Sequence, residues 1–371
     1  MSNAAKAIRK LGCGDAAVKL LSPLCSDKTP LPTREEAMAY LASVSPDEGR
    51  SALRDKPLAF NKTEYTMCVI IPVYNAEAWL EGCLDSVFSQ ACSYPLQVVA
   101  VDDGSVDGSP AILDAWRERG LEVIRQENAG AAAARNRALE CCRAEYVLFL
   151  DADDALVPGC LEPAIRLARE EDADLVECAY TTVDAEGRPM RVFSHPEGPM
   201  SPRDCTGFPH GKLFRARLFT RLGFPAGYLF EDSVLAQLVY PLLEQSGGKS
   251  LGLNRQMLYY RVHAANTSHK NLVRPKSIDS LWITLSLFRD RQTLGLVADA
   301  RYYEYLLNML VLTMHRTERL GDEVRRTEFA VFRELLGELS GFSTGRPAWR
   351  ALESAVAAGD YGKARLFCSL H

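Results

Sequence analysis

Two pairs of carboxylates are the residues in this sequence best suited to chemistry. Asp151 and Asp153, two positions apart, directly follow an apolar run. Oxygen ligands of this kind suit Mg²⁺ or Mn²⁺, and such an ion would also bind phosphate oxygens. Asp102 and Asp103 end another apolar run, where carboxylates can accept hydrogen bonds from a base N–H or from ribose hydroxyls. The alternative for the second pair is an ordinary turn with a helix cap, since Asp, Gly and Ser are frequent turn residues.

Two further side chains could contact a phosphate-bearing ligand. Tyr74 follows the apolar run that ends at Val73, and its ring could stack on a base. Arg135 lies in an alanine-rich segment and could reach a phosphate or a base edge. The alternatives are a strand-to-helix turn for Tyr74 and a solvated surface arginine for Arg135.

Apolar segments of strand length alternate with helical stretches from residue 67 onward. The predicted strands are 67–73, 96–101, 121–124, 145–150 and 174–183, and the predicted helices are 77–90, 109–119, 129–142 and 158–171. Near-continuous apolar strands indicate a sheet buried on both faces, and the alternation indicates a mainly parallel α/β fold. Ligands of such sheets bind beyond the carboxyl ends of the strands, where both carboxylate pairs lie. The stretch 185–210, rich in Pro and Gly, is predicted as a long loop.

Two regions flank this α/β domain, which we place at residues 66–274. Residues 1–65 are predicted to be a partly helical extension, in which Thr33 and Glu36 form a capping box. Residues 275–371 show helical periodicity and are predicted to form a C-terminal helical subdomain.

Composition excludes several classes of protein. The 371 residues carry 43 basic and 48 acidic side chains, and a net charge of −5 argues against nucleic acid as a partner. No apolar run is long enough to cross a membrane, although peripheral membrane contact stays open. The 11 cysteines include no CxxC pair, which favours reduced thiols in a cytoplasmic protein and disfavours a zinc site.

The ordered set of motifs resembles the family 2 glycosyltransferases with the GT-A fold. The motifs are Val69–Asn75, Val101–Ser105, Gly130–Asn136, Phe149–Asp154, His210–Phe214, Phe230–Asp232 and Tyr260–Ser268. Each motif is weak singly, but their order and spacing are specific over about residues 67–270. The resemblance implies transfer of a sugar from a nucleotide diphosphate sugar, commonly a UDP sugar, to a hydroxyl of a glycan or lipid-linked acceptor.

The resemblance also implies which residues bind the donor and a metal. Tyr74 would stack on the base, and Asp102 or Asp103 would contact base and ribose. The full implied set for the nucleotide sugar is Pro72, Tyr74, Asn75, Asp102, Asp103, Arg135, Asp151, Ala152 and Lys212. Mn²⁺ or Mg²⁺ would be held by Asp153, with Asp151 and His263.

The implied catalytic residue is Asp232, which would act as the general base in a single displacement with inversion at the anomeric carbon. An alternative is that Glu231 and Asp232 simply begin a helix, where acidic side chains favour the positive end of the dipole. His269 competes with His263 as the third metal ligand.

Three other classes of protein compete with this interpretation. A haloacid-dehalogenase-like phosphatase also has a D-x-D after a strand, but it leaves the other motifs unexplained. A sugar nucleotidyltransferase would show a Gly-rich basic loop after the first strand, which this sequence lacks. A catalytically silent relative that acts as a binding or scaffold protein is the non-enzyme alternative. The helices after residue 275 could cover an acceptor groove, form a homo-oligomer or dock on a membrane surface.

Overall fold

The computed structural model describes residues 14–60, 63–263 and 274–371. Residues 264–268 of the last motif, and His269, lie outside the described residues. The strands are β1 Tyr65–Val73, β2 Leu96–Asp102, β3 Glu122–Arg125, β4 Ala144–Phe149, β5 Ala155–Leu156, β6 Leu175–Val183, β7 Pro189–Phe193, β8 Gly198–Pro199, β9 Lys212–Arg215 and β10 Ser250–Arg261. The α-helices are α1 Gly14–Leu21, α2 Arg34–Val44, α3 Leu80–Phe88, α4 Ser109–Trp116, α5 Ala131–Glu140, α6 Leu161–Glu170, α7 Tyr240–Gln245, α8 Asp279–Thr293, α9 Ala300–Arg316, α10 Asp322–Gly337, α11 Arg350–Ala358 and α12 Tyr361–Leu370.

The described parts of the chain group into two compact units, each discontinuous along the sequence. One comprises Arg50–Asn266 and Ser286–Leu296, and the other comprises Met1–Gly49, Thr267–Leu285 and Val297–His371. The sequence-based boundaries were consecutive, whereas here the segment before residue 50 shares a unit with the C-terminal helices. Contact between distant segments leaves no local pattern in the sequence.

The first unit, here called the sheet unit, is built on one sheet. The strand order is β3-β2-β1-β4-β9-β6-β10-β5, with β7 beside β6 and β8 beside β10. Strands β1 to β4 pair in parallel, as predicted, and β9 is antiparallel to β4 and β6.

Burial explains why these segments are strands and helices. Residues 67–71 of β1 are 0% exposed, because helices cover both faces of the sheet. Helix α3 buries Leu80, Cys83, Leu84 and Val87, which recur at the spacing of one helical face. The predicted strands and the four predicted helices of this region are confirmed, with ends shifted by a few residues.

The stretch 185–210 is more ordered than predicted. It contains β7, β8 and a short 3₁₀ helix at Pro202–Asp204. The ring of Phe193 in β7 stacks on Tyr180 of β6 with centroids 4.6 Å apart. Pairing along the edge of β6 thus gives an extended conformation to a segment whose composition alone suggests a loop.

The segment 286–296 completes the sheet unit from far along the chain. The carboxylate of Asp290 accepts hydrogen bonds from Ser51 Oγ at 2.7 Å and from the Ala52 backbone N–H at 2.8 Å. Arg291 Nη1 donates to the carbonyl of Gln237 at 2.6 Å. These buried contacts satisfy backbone groups on segments that lie more than 50 residues away in sequence.

The second unit is helical in the described residues. Helix α2 begins with the predicted capping box, since Thr33 Oγ1 accepts from the Glu36 N–H and the Glu36 carboxylate accepts from the Thr33 N–H. Trp282 is 0% exposed and its indole N–H donates to the carbonyl of Ser45 at 3.0 Å. None of the helices within the described ranges combines the length and apolarity that crossing a bilayer requires.

Candidate active site

Three parallel strands bring the predicted donor residues to one edge of the sheet. Val73 at the end of β1 is paired with Asp102 at the end of β2, and Ile70 of β1 is paired with Phe149 of β4. The backbone N–H of Asp103 donates to the carbonyl of Val73 at 2.8 Å. The residues that follow β1, β2 and β4 therefore leave the sheet side by side, as the sequence predicted.

The loop after β1 presents one aromatic ring to solvent. Tyr74 is 53% exposed, an unusual state for a large ring at the end of a buried strand. Asn75 adopts a φ of 49°, its N–H donates to Ser105 Oγ, and its Oδ1 accepts from the Val106 N–H. Asn75 thus ties the loop after β1 to the loop after β2, and it leaves the Tyr74 ring available for stacking. Pro72 lies in β1 just before this loop.

The two carboxylates after β2 have different surroundings, although each is 3% exposed. Asp103 accepts from Gln126 Nε2 at 2.7 Å and from two backbone N–H groups of the loop before α5, at 2.9 and 2.7 Å. Asp102 Oδ1 accepts from the Ser105 N–H at 2.9 Å, and its Oδ2 lies 3.7 Å from Arg125 Nε. Asp103 therefore anchors a loop. Contact of either carboxylate with base or ribose stays a prediction.

Arg135 forms ion pairs with carboxylates of two motifs that lie far apart in the sequence. Its guanidinium donates through Nη2 to Asp151 at 2.8 Å and through Nη1 to Glu231 at 2.7 Å, and it lies over the ring of Phe224. Burial alone would lower the pKa of this guanidinium, but the two carboxylates raise it above its ordinary value. The side chain is 6% exposed, so Arg135 is a fixed charge within the site rather than a solvated arginine.

The second carboxylate of the D-x-D pair faces a histidine. Asp153 Oδ2 lies 2.8 Å from His263 Nε2, and the His263 ring stacks on Trp79 with centroids 4.1 Å apart. Burial, and then the nearby charge of Asp151, raise the pKa of Asp153, while His263 opposes this shift. Negative charge is therefore concentrated at this point of the sheet edge. Ala152 between the two aspartates is buried.

Asp154, the last residue of the Phe149–Asp154 motif, was given no role from the sequence. It is 1% exposed, and its Oδ1 accepts from the Arg261 N–H at 2.8 Å. Arg261 Nε also donates to the carbonyl of Asp153 at 2.9 Å, so the end of β10 is fastened to this turn. Burial and the charges of Asp151 and Asp153 raise the pKa of Asp154 well above its ordinary value. Its place directly after D-x-D was the available signal.

The residues partly fit a divalent cation. Adjacent carboxylates and a histidine are suitable ligands, and Asp154 Oδ2 is a buried oxygen without a hydrogen-bond partner in the described ranges. The predicted set of three does not converge, since Asp151 turns to Arg135 while Asp153 turns to His263. Over residues 14–60, 63–263 and 274–371, no group of three or more His, Cys, Asp or Glu side chains is arranged to hold a metal ion.

The Glu231–Asp232 pair precedes a helical segment, as the alternative interpretation expected. The carbonyl of Asp232 accepts from the Leu235 N–H at 2.9 Å, and residues Leu235–Val239 form a π-helical turn that leads into α7. Just before the pair, Phe230 adopts a φ of 66°, a left-handed conformation that is uncommon for a bulky residue. The strained turn presents Glu231 to Arg135 and places Asp232 next to it in the chain.

Lys212 lies in the interior and not at the surface of the site. It is 1% exposed, and its ammonium lies 2.9 Å from Glu177 Oε1, its register partner across β9 and β6. The ammonium also donates to Thr206 Oγ1 at 2.6 Å and to the carbonyl of Phe208 at 2.7 Å. Contact with a diphosphate would require this buried cluster to open. In the structure Lys212 is one partner of a buried ion pair, and its contact with a nucleotide sugar stays a prediction.

The fold and the residues at this end of the sheet define a class of protein. A mixed sheet in which β1 to β4 pair in parallel, with aspartates at the carboxyl ends of β2 and β4, is similar to the fold of the GT-A glycosyltransferases. In agreement, S. aureus TarS 1–349 in complex with UDP-GlcNAc shares the fold with a TM-score of 0.62 and 22% identity, over 81% of this chain and 89% of that chain.

The middle of the chain is similar to glycosyltransferase family 2. Residues 68–229 match the family model described as glycosyl transferase family 2. Glycosyltransferase GlyA of Streptococcus pneumoniae is 30% identical over 73% of this chain, and glycosyltransferase GlyG of the same organism is 26% identical over 52%. The poly(ribitol-phosphate) beta-glucosyltransferase of Bacillus spizizenii is 29% identical over 46% of this chain. The aligned regions span 41%, 69% and 29% of those three relatives.

Proposed function

We propose that this protein is an inverting, metal-dependent glycosyltransferase that uses a nucleotide diphosphate sugar. The observation that carries the proposal is the bridge that Arg135 makes between Asp151 and Glu231. This bridge connects the carboxylates expected at the donor with the segment that holds the expected base, Asp232. A UDP sugar is the first donor to test, because TarS, which shares the fold, was solved with UDP-GlcNAc.

The proposed reaction is one in-line displacement. Asp232 takes the proton of the acceptor hydroxyl while that oxygen attacks the anomeric carbon. The bond from this carbon to the diphosphate oxygen breaks, the diphosphate leaves with the bonding electrons, and the configuration inverts. Tyr74 stacks on the base. Asp102 binds the ribose, because it accepts fewer hydrogen bonds from the protein than Asp103 does. A divalent cation held by Asp153 and His263 would neutralise the charge of the departing diphosphate.

The acceptor in this proposal is a hydroxyl of a surface glycan or of a lipid-linked sugar. The relative from Bacillus spizizenii is a poly(ribitol-phosphate) beta-glucosyltransferase, which supports a hydroxyl on a polymer as the acceptor. The reaction would take place in the cytoplasm, where nucleotide sugars are made, with peripheral contact at the inner face of the membrane. We also propose that the C-terminal helices form the interface of a homo-oligomer. A measurement of the molar mass of the protein in solution tests this.

The experiment is thermal unfolding with UDP, GDP, CDP, TDP and ADP, each with and without Mn²⁺ or Mg²⁺. A nucleotide at one hundred times its dissociation constant adds about 2.7 kcal/mol to the stability of the native state. We expect stabilisation by one diphosphate that depends on the cation, and its loss in Asp153→Ala. Stabilisation by no nucleotide would favour the silent scaffold.

The base is tested separately by Asp232→Asn. This variant should bind the nucleotide with unchanged stabilisation, yet lose transfer of sugar to the acceptor. Transfer at the wild-type rate would show that Asp232 is not the base.

A further inference from the structure

The sheet unit contains a row of three stacked rings whose middle ring is buried. The imidazole of His210 stacks on the ring of Tyr260, with centroids 4.8 Å apart. It also stacks on the ring of Phe208, with centroids 5.2 Å apart and an interplanar angle of 10°. His210 is buried, whereas Phe208 is 48% exposed. The row therefore ends in an aromatic ring that is open to solvent. We name Phe208, His210 and Tyr260 the ring row.

The ring row is held rigidly from beneath. The buried ammonium of Lys212 donates to the carbonyl of Phe208 at 2.7 Å and to Thr206 Oγ1 at 2.6 Å. Burial, and then the charge of Lys212, lower the pKa of His210 to about 3, so its imidazole is neutral and stacks as an uncharged ring. The backbone that carries Phe208 is thus tied to the buried ion pair of Lys212 with Glu177, and the exposed ring is preorganised.

The ring row lies between the donor carboxylates and the segment of the expected base. Tyr260, the last ring of the row, precedes Arg261, whose Nε donates to the carbonyl of Asp153 at 2.9 Å. On the other side, the hydroxyl of Tyr240 in α7 donates to the carbonyl of Thr206 at 2.7 Å, and α7 continues the segment that begins at Asp232. Phe208 is thus connected to the segments of both groups, through the ring row and through the Thr206 backbone, while its own ring stays open to solvent.

We propose that the exposed face of Phe208 is the platform on which a pyranose ring of the acceptor stacks, so that the acceptor is a glycan rather than a bare alcohol. The proposal rests on the glycosyltransferase function proposed above. The face of a pyranose that carries axial C–H bonds is weakly positive and apolar, and it matches the negative face of an aromatic ring. The exposed ring assigned to the donor base, Tyr74, lies at the end of β1, whereas Phe208 precedes β9, so that each ring serves one substrate.

The test is saturation-transfer NMR with methyl β-D-glucopyranoside and, separately, UDP as the probes. In the wild type we expect saturation on the axial protons of one pyranoside face. Phe208→Tyr keeps an aromatic face and should keep this pattern. Phe208→Leu keeps an apolar side chain without a ring, and Phe208→Ala removes both. Phe208→Leu and Phe208→Ala should both raise the half-saturating pyranoside concentration by about two- to tenfold.

The control is Val106→Ala, which trims another exposed apolar side chain and should leave the pyranoside signals unchanged. Pyranoside binding at wild-type strength in Phe208→Leu and Phe208→Ala would overturn the platform. Base protons of UDP that lose saturation in the same variants would also overturn it, by assigning Phe208 to the donor. Absence of any UDP signal in the wild type, with pyranoside signals that depend on Phe208, would instead overturn the donor in the proposed function and support the platform.

Discussion

Replacing Arg135 by methionine removes the charge that joins Asp151 to Glu231 and keeps most of the side-chain volume. The change deletes two charge-assisted hydrogen bonds, of 2.8 and 2.7 Å, each worth about 1.5–3 kcal/mol. The carboxylates of Asp151 and Glu231 are 34% and 20% exposed, so water recovers part of that loss. We therefore expect Arg135→Met to lower the free energy of unfolding by about 2–4 kcal/mol, less than the penalty for breaking a fully buried pair.

Calorimetry is the appropriate assay, because two units can unfold in separate transitions. For a unit of about 200 residues, a loss of about 3 kcal/mol lowers Tm by about 8 °C. The unfolding transition whose Tm rises when UDP is added is assigned to the sheet unit. Arg135→Lys keeps the charge but loses the planar fork, so it should recover only part of the loss.

The matched control is Arg137→Met on the same helix. Arg137 is 54% exposed and pairs with Glu140, and such surface pairs contribute about 0.2–1 kcal/mol. Equal decreases of Tm in Arg135→Met and Arg137→Met would refute the reasoning, because the buried bridge would then stabilise no more than a surface pair.

Three further predictions concern other buried or capping groups. Lys212→Met leaves the Glu177 carboxylate unpaired in the interior and should lower the free energy of unfolding by about 3–5 kcal/mol, with the stabilisation by UDP retained. Burial raises the pKa of Glu328 from 4.5 to about 8, so the native state holds a proton there that the unfolded state releases. The resulting stability is complete below pH 4.5 and is lost as the pH rises through 8, so Glu328→Gln should flatten the fall of Tm with pH. Thr33→Ala breaks the capping box of α2 and should lower the free energy of unfolding by about 1 kcal/mol in urea titrations.

Each of these three variants has a control of the same type at an exposed position. Lys249→Met removes a surface ion pair, Glu334→Gln changes an exposed carboxylate on the helix of Glu328, and Ser43→Ala changes an exposed hydroxyl on α2. A control variant that matches its test variant in Tm, or in the pH profile of Tm, would contradict the corresponding prediction.

The strands and the aspartates were predictable because their signals are local. A continuous apolar run identifies β1 as a buried strand, and Asp151 and Asp153 follow another such run directly. In contrast, Arg135 and Glu231 are separated by 96 positions, and no spacing rule indicates that they form an ion pair. The burial of Lys212 was equally hidden, since it depends on the register that sets this residue opposite Glu177 on a neighbouring strand.

The sequence therefore predicted which residue types form the site better than it predicted the contacts between them. The sequence favoured Asp151, Asp153 and His263 as one ligand set, whereas the structure gives Asp151 to Arg135 and Asp153 to His263. Competition between an arginine and a cation for the same oxygens depends on three-dimensional proximity, which composition and spacing do not contain.

The hydrogen bonds of Asp290 with Ser51 and Ala52 carry a consequence for the order of events on the ribosome. Nearly all of the sheet unit is synthesised before residue 286, yet the backbone at Ala52 finds its buried acceptor only when Asp290 has emerged from the exit tunnel. Until then the nascent sheet holds polar groups without partners and a surface that its final helix has not covered. Translation must therefore pass well beyond the last strand before the unit can close, and a pause before that point would expose it to chaperones and proteases.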